Sequence, residues 1–365
     1  MLILIITLAF LLPFAVPAAA QSHSWNMHAR EASQTATSRA LTQMDRGQLD
    51  LALASLTEAV QADPQDPLPL SMLGLCQDMK GSYGEALESL HRSWQLDPHS
   101  AETAISIGIT SYLQHDYDKA INAWHKALDL NARLCGVQAA LGFAYLRKGD
   151  LGRAEESLRQ ALRCAPASQL AYQGQALLKY LSGDLDGARA AADQALGIAA
   201  YPPLVLMLAG IDQLQGQPRQ AARRIVQYET VSRRPGWQRA MAVLGYSAQH
   251  NFRWDPFIAD DFDNAYLLQA RALKLPRQAT RQKSLARKGK AEAAMSRTRA
   301  LLAVAPSDHY LLGQLGLVEL SAGQYGDAGA HLKKALEVCP GCRLYARLLT
   351  RAQTLEEQTA AVRAK

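Results

Sequence analysis

Residues 141–166 read LGFAYLRKGDLGRAEESLRQALRCAP. Leu141, Gly142 and Tyr145 recur at three- and four-residue spacing, which puts them on one face of a helix. Gly149 and Asp150 break that helix. Ala154, Leu158 and Ala161 then mark one face of a second helix, and Pro166 stops it. Small residues at Gly142 and Ala154 let the two backbones approach closely. The stretch predicts an antiparallel helical hairpin with one apolar side left bare. Stacking another hairpin on that side makes a continuous core.

The same unit returns every 34 residues. Ala52, Ala86, Ala120, Ala154 and Ala188 fall in strict register. Ala40, Gly74, Gly108, Gly142 and Ala176 form a second column, and Leu56, Leu90, Trp124, Leu158 and Ala192 a third. Ala59, Ser93, Ala127, Ala161 and Ala195 form a fourth. Pro64, Pro98 and Pro166 punctuate unit ends. Four columns held over five units predict an all-α solenoid of stacked hairpins.

These columns resemble the tetratricopeptide repeat family. The match is close in units beginning near Thr35, Pro67, Ala101, Cys135 and Gln169. A looser unit begins near Pro202, and a well-matched one near His309, preceded by a unit that keeps Gly289, Ala294, Leu301 and Pro306. The array amounts to about eight to nine such units over residues 35–342. Segments 35–230 and 277–342 form its two regular parts. Between them, 231–276 reads as a degenerate unit with an inserted loop at 249–263. Residues 343–365 read as a helix that caps the last open face.

The resemblance implies a concave groove lined by the first helix of each unit. Carried onto this chain, its lining includes Leu75, Ile105, Ile109, Tyr112, Phe143, Arg147, Leu177 and Tyr180. That lining is apolar and aromatic and suits a docked helix or extended apolar segment. Some family members grip a peptide carboxylate with lysines and asparagines. Here the equivalent places carry Ser71, Ile105, Ala139 and Gln173, then Leu75, Ile109, Phe143 and Leu177, so that mode is not expected. The alternative is that several of these side chains are packing between helices.

The first twenty residues stand apart. MLILIITLAFLLPFAVPAAA is apolar and ends in small residues before Gln21, the pattern of an export signal with its cleavage site. No Lys or Arg precedes the apolar run. The competing reading is an uncleaved inner-membrane anchor over residues 2–20. A polar lead segment follows at 21–34. The expected location is an exported, periplasmic one.

In an oxidising space the five cysteines become informative. Cys135 opens the first helix of its unit and Cys164 closes the second, and an antiparallel hairpin brings those ends together. Cys339 and Cys342 can pair locally. Cys76 remains as the odd thiol. The opposite expectation, all five reduced, stands if the chain is not exported.

Charge supplies a second surface. Between Arg271 and Arg299 there are ten Lys or Arg residues and one acid, Glu292, a net +9 in a chain of +6. Arg281, Lys283, Arg287 and Lys288 are its candidate contacts for an anionic glycan or membrane surface. Nucleic acid is not expected as a partner, because it conflicts with export. A solvated basic helix pair is the plain alternative.

Motifs for enzymatic chemistry are missing: no phosphate loop, dinucleotide fingerprint or nucleophile elbow occurs. The pair Cys339-Pro-Gly-Cys342 lacks a second CxxC, so no metal site and no cofactor are expected. The expected function is a non-enzymatic scaffold for protein partners in a bacterial envelope complex. The alternative is a glycan-associated part in exopolysaccharide secretion or pilus assembly.

Overall fold

The computed structural model describes residues 18–199, 202–217 and 305–363, with scattered helical residues within 219–227 and 292–303. Among the described residues every regular element is helical. The chain divides into two compact units, Met1–Pro98 and His99–Lys365.

The N-terminal unit holds α1 (Ala18–Asp45), α2 (Leu49–Ala62), α3 (Pro67–Lys80) and α4 (Tyr83–Leu96). α1 is continuous and takes in the residues read from sequence as a polar lead segment. In the second unit come α5 (Ala101–Leu113), α6 (Tyr117–Leu130), α7 (Cys135–Arg147), α8 (Leu151–Cys164), α9 (Gln169–Leu181), α10 (Leu185–Ile198) and α11 (Pro202–Leu214). They are followed by α12 (His309–Ala322), α13 (Tyr325–Val338) and α14 (Arg343–Arg363). First helices start at 67, 101, 135 and 169, and second helices at 49, 83, 117, 151 and 185, each step being the 34-residue period.

Local chemistry sets those boundaries. Asp66, Ser100, Asp116, Asp150, Ser168 and Asp184 each accept a hydrogen bond from a backbone N–H in the first turn of the following helix. Such a cap is worth about 1 kcal/mol. The turns between paired helices need a left-handed residue, and Gly47, Gly81, Gly149 and Gly183 supply it at φ of 70–82°. The fifth member of that series is His115, at φ 62°. A non-glycine residue pays roughly 1–2 kcal/mol there.

The columns also explain the packing. A Cβ on Gly108 would lie 2.0 Å from the Trp124 ring, and one on Gly142 would lie 2.6 Å from Leu158. Gly74 faces Leu90 and Gly316 faces Leu332 in the same way. One helix gives up its side chain so that its partner can bury a large one. Polar contacts repeat too: Ser55 donates to Gln43 at 2.8 Å, and Ser89, 34 residues on, donates to Gln77 at 2.8 Å.

α12 departs from the usual half-exposed helix. Every residue from His309 to Leu320 is buried. A helix that is apolar on all sides needs neighbours on all sides. Its surroundings come from α13, from α14 and from the first-helix face of the preceding repeats. α14 covers α13, as a cap does, and also reaches α9.

Candidate functional site

The first-helix face of the second unit is covered rather than open. Tyr112, Phe143, Leu177 and Tyr180 are buried in one apolar cluster with Tyr310, Leu312 and Leu317 of α12 and Leu344, Tyr345 and Leu348 of α14. Ile105 and Ile109 pack against the same cluster and are half-buried. Arg147 is buried as well. This corrects the expectation of an open partner groove at Tyr112, Phe143, Arg147, Leu177 and Tyr180, because the chain's own C-terminal helices fill it. The turn geometry shows how closely they sit. A Cβ on Gly149 would lie 2.9 Å from the Val338 carbonyl, and one on Gly183 would lie 3.2 Å from Arg343 Cβ. In the N-terminal unit the corresponding face of α3 stays accessible, with Leu68 52% exposed and Ser71 and Leu75 half-buried.

A buried ion pair joins the cover to the repeats. Arg147 Nε donates to Asp308 Oδ2 at 3.0 Å, and Arg147 Nη2 and the Tyr117 hydroxyl donate to the same oxygen. Asp308 Oδ1 accepts the backbone N–H groups of Tyr310 and Leu311 at 2.9 and 3.1 Å and so caps α12. The Arg147 guanidinium lies between two aromatic rings, 4.8 Å from the centroid of Tyr310 and 5.3 Å from that of Tyr117. Burial opposes the charge on both partners. Their mutual attraction outweighs it, holding the Asp308 carboxyl below the usual carboxylate range and Arg147 above its own. Asp308 accepts from Arg147, Tyr117 and two backbone N–H groups, and such added hydrogen bonds are what make a buried pair tolerable. His115 Nδ1 lies 2.8 Å from the Tyr117 hydroxyl, so the strained turn residue belongs to the same network.

Two further buried acids are clamped by bases. Asp212 pairs with Arg189 at 2.7 Å and Arg224 at 2.9 Å. Glu319 pairs with Arg299 at 3.1 Å and with His331 at 2.8 Å. Arg299 is one of the ten basic residues counted above, and the structure uses it for an internal pair. The candidate contacts Arg281, Lys283, Arg287 and Lys288 lie outside the described residues, as do the inserted loop 249–263 and the apolar residues 1–17. Among the described residues no helix is long and apolar enough to cross a membrane.

The cysteines fall into two bonded pairs and one thiol. Cys135 is joined to Cys164 at the open ends of the α7–α8 hairpin, with Cα atoms 5.5 Å apart. Cys339 is joined to Cys342 in the turn between α13 and α14. Cys76 is buried on α3 as a free thiol, and burial pushes it up to about 11, out of reach of easy thiolate formation.

Beside the second pair stands a residue that the sequence reading passed over. His309 opens α12, and its Nδ1 lies 4.0 Å from Cys342 Sγ. Its other nitrogen, Nε2, lies 2.5 Å from the Leu146 carbonyl at the end of α7. The ligand atoms of His309, Cys339 and Cys342 all lie within 4.8 Å of one another, and all three residues are buried. The signal was available. His309 opens the first helix of a hairpin and Cys339 caps the end of the second, one position beyond the relation that pairs Cys135 with Cys164.

Residues 37–101 and 139–204 match the family model described as tetratricopeptide repeat. These two segments are tetratricopeptide repeats. No curated protein matches it in sequence. Among solved structures, the repeat array is similar to PilW, a widely conserved type IV pilus biogenesis factor. The two are 21% identical with a TM-score of 0.51, over 57% of this chain and 98% of PilW. It is also similar to a tetratricopeptide repeat protein from Parabacteroides merdae ATCC 43184, at 16% identity and a TM-score of 0.50, over 88% of this chain and 99% of that one. At these identities the likeness is one of fold. Tetratricopeptide repeats act as scaffolds that bind protein partners, and the α-helical stack described above is of that kind.

Proposed function

We propose that this protein is an exported, non-enzymatic scaffold that gathers protein partners in a bacterial cell-envelope complex. The observation that carries the reading is the accessible apolar face of α3, where Leu68 is exposed and Leu75 is half-buried on a stack of interaction repeats. The export pattern of residues 1–20 supports the compartment, and the two cysteine pairs are suited to an oxidising one. The test is crosslinked capture from an envelope fraction with the chain and with Leu68→Asp combined with Leu75→Asp. The double variant keeps its helical content and loses the captured partner. Undiminished capture overturns the reading.

A second reading rests on the net +9 of residues 271–299. In it, the segment holds an acidic glycan or an anionic membrane surface. Retention on either falls steeply as salt passes physiological strength, where screening acts over about 8 Å. A variant with glutamine at Arg281, Lys283, Arg287 and Lys288 that is retained as strongly at low salt removes this reading.

A further inference from the structure

The cluster of His309, Cys339 and Cys342 has the makings of a metal centre. Two cysteines with two residues between them are a ligand spacing used by zinc sites. Here the chain returns a third ligand from the opening of the same hairpin, 30 residues before Cys339. The ring of His309 is already oriented for coordination. Its Nε2–H donates to the Leu146 carbonyl, which leaves the Nδ1 lone pair directed at the sulfurs. A histidine that ligates a metal through one nitrogen usually donates the other N–H to a carbonyl or carboxylate in this way. Tyr345, 6.0 Å away between ring centroids, packs beside the imidazole.

We propose that the reduced form of this cluster binds one Zn2+ through the thiolates of Cys339 and Cys342 and Nδ1 of His309. The disulfide and the zinc centre are two states of one site, and neither depends on the export reading. A dithiol supplies two electrons and two protons to the Cys339–Cys342 bond and is itself oxidised to a disulfide. Zinc then displaces the two thiol protons and forms two Zn–S bonds, with the imidazole adding its lone pair. Tetrahedral zinc separates sulfur and nitrogen ligands by about 3.5 Å, from bond lengths near 2.3 and 2.0 Å. The 4.0 Å between Cys342 Sγ and His309 Nδ1 needs only a small adjustment. Two thiolates balance the divalent charge, so the buried centre is neutral, which a low-dielectric pocket favours. Monovalent copper would leave a net negative charge there. The fourth zinc position falls to a solvent molecule. Zinc would replace the covalent link between the ends of the Cys-Pro-Gly-Cys turn and tie the opening of α12 to it.

The experiment uses the full chain carrying Cys76→Ala, Cys135→Ser and Cys164→Ser, reduced by a phosphine without oxygen and titrated with Co2+. The expected result is a thiolate-to-cobalt absorption band that saturates at one ion per chain and is bleached by Zn2+. The unreduced protein gives no band, and His309→Gln weakens binding about tenfold or more. Absence of the band in the reduced protein overturns the proposal, as does equal affinity in His309→Gln. A second measurement needs no substitution. In the reduced natural chain, Zn2+ slows alkylation of Cys339 and Cys342, read peptide by peptide by mass. Equal alkylation with and without Zn2+ overturns the site, and protection by Cu+ alone overturns the choice of zinc.

Discussion

Leu75 on α3 and Leu177 on α9 occupy the same place in the repeat, three periods apart. Leu75 is half-buried, whereas Leu177 is 2% exposed. Phe143, one period before Leu177, is 3% exposed. The repeat determines which side chains line the first-helix face. A segment far along the chain decides whether that face is available. The family fold therefore names a surface without saying that the surface is free, and in this protein α12 and α14 make the difference.

The strongest way to break the comparison is to unseat the cover. Arg147→Met strands Asp308 as an unpaired buried charge, and such losses run at about 3–5 kcal/mol. Denaturant unfolding should show a lowered midpoint in the second unit. Adding Asp308→Asn restores part of the loss, because the amide still caps α12 and no longer needs a cation. A cost below about 1 kcal/mol for Arg147→Met would mean that the pair does not hold the cover.

A sharper comparison comes from the hairpin that carries Arg147. The Cys135–Cys164 bond closes a loop of 29 residues, which on the chain-entropy model is worth roughly 3–4 kcal/mol. The double serine variant should unfold earlier by that order, and reducing the natural chain should reproduce the change. An unchanged midpoint would show that the α7–α8 hairpin is held by its packing alone.

The smallest effect lies at His115. Burial first, and Arg147 next, hold its imidazole below the ordinary histidine value, with Asp308 opposing. The folded chain thus keeps it neutral where the unfolded chain, near about 6.5, begins to take up a proton. That stability is present above the unfolded value and is lost as pH falls through the folded one. His309 is depressed by the same cause and acts in the same direction. Stability should therefore fall from pH 7 to pH 5, and His115→Asn, which tolerates the left-handed turn, should flatten part of that slope. A parallel pH profile in the variant would remove His115 from the account.

Much of this architecture is legible in the residues. Helix starts at 67, 101, 135 and 169 follow from the 34-residue columns, and Gly108 opposite Trp124 shows why the columns exist. Arg147 and Asp308 are 161 residues apart, and no periodicity links them. One trace was present. HYLLGQLGLVEL, opening α12, and VQAALGFAYL in α7 are apolar nearly all round, which a half-open repeat helix does not need. Two such helices in one array call for each other. His309 beside Cys339 was within reach by the hairpin rule already applied to Cys135 and Cys164.

The separation of Arg147 from Asp308 also has a meaning in time. A ribosome adding about 5–20 residues per second needs roughly 8–32 s to pass from one to the other. The local hairpins α5–α10 can form within that interval, since each closes on near neighbours in sequence. From their synthesis to the end of it, Phe143, Leu177 and Tyr180 have no α12 or α14 to cover them. The nascent chain carries an open apolar face that the finished protein lacks, and any partner or chaperone that meets it during synthesis meets a different surface from the one that persists.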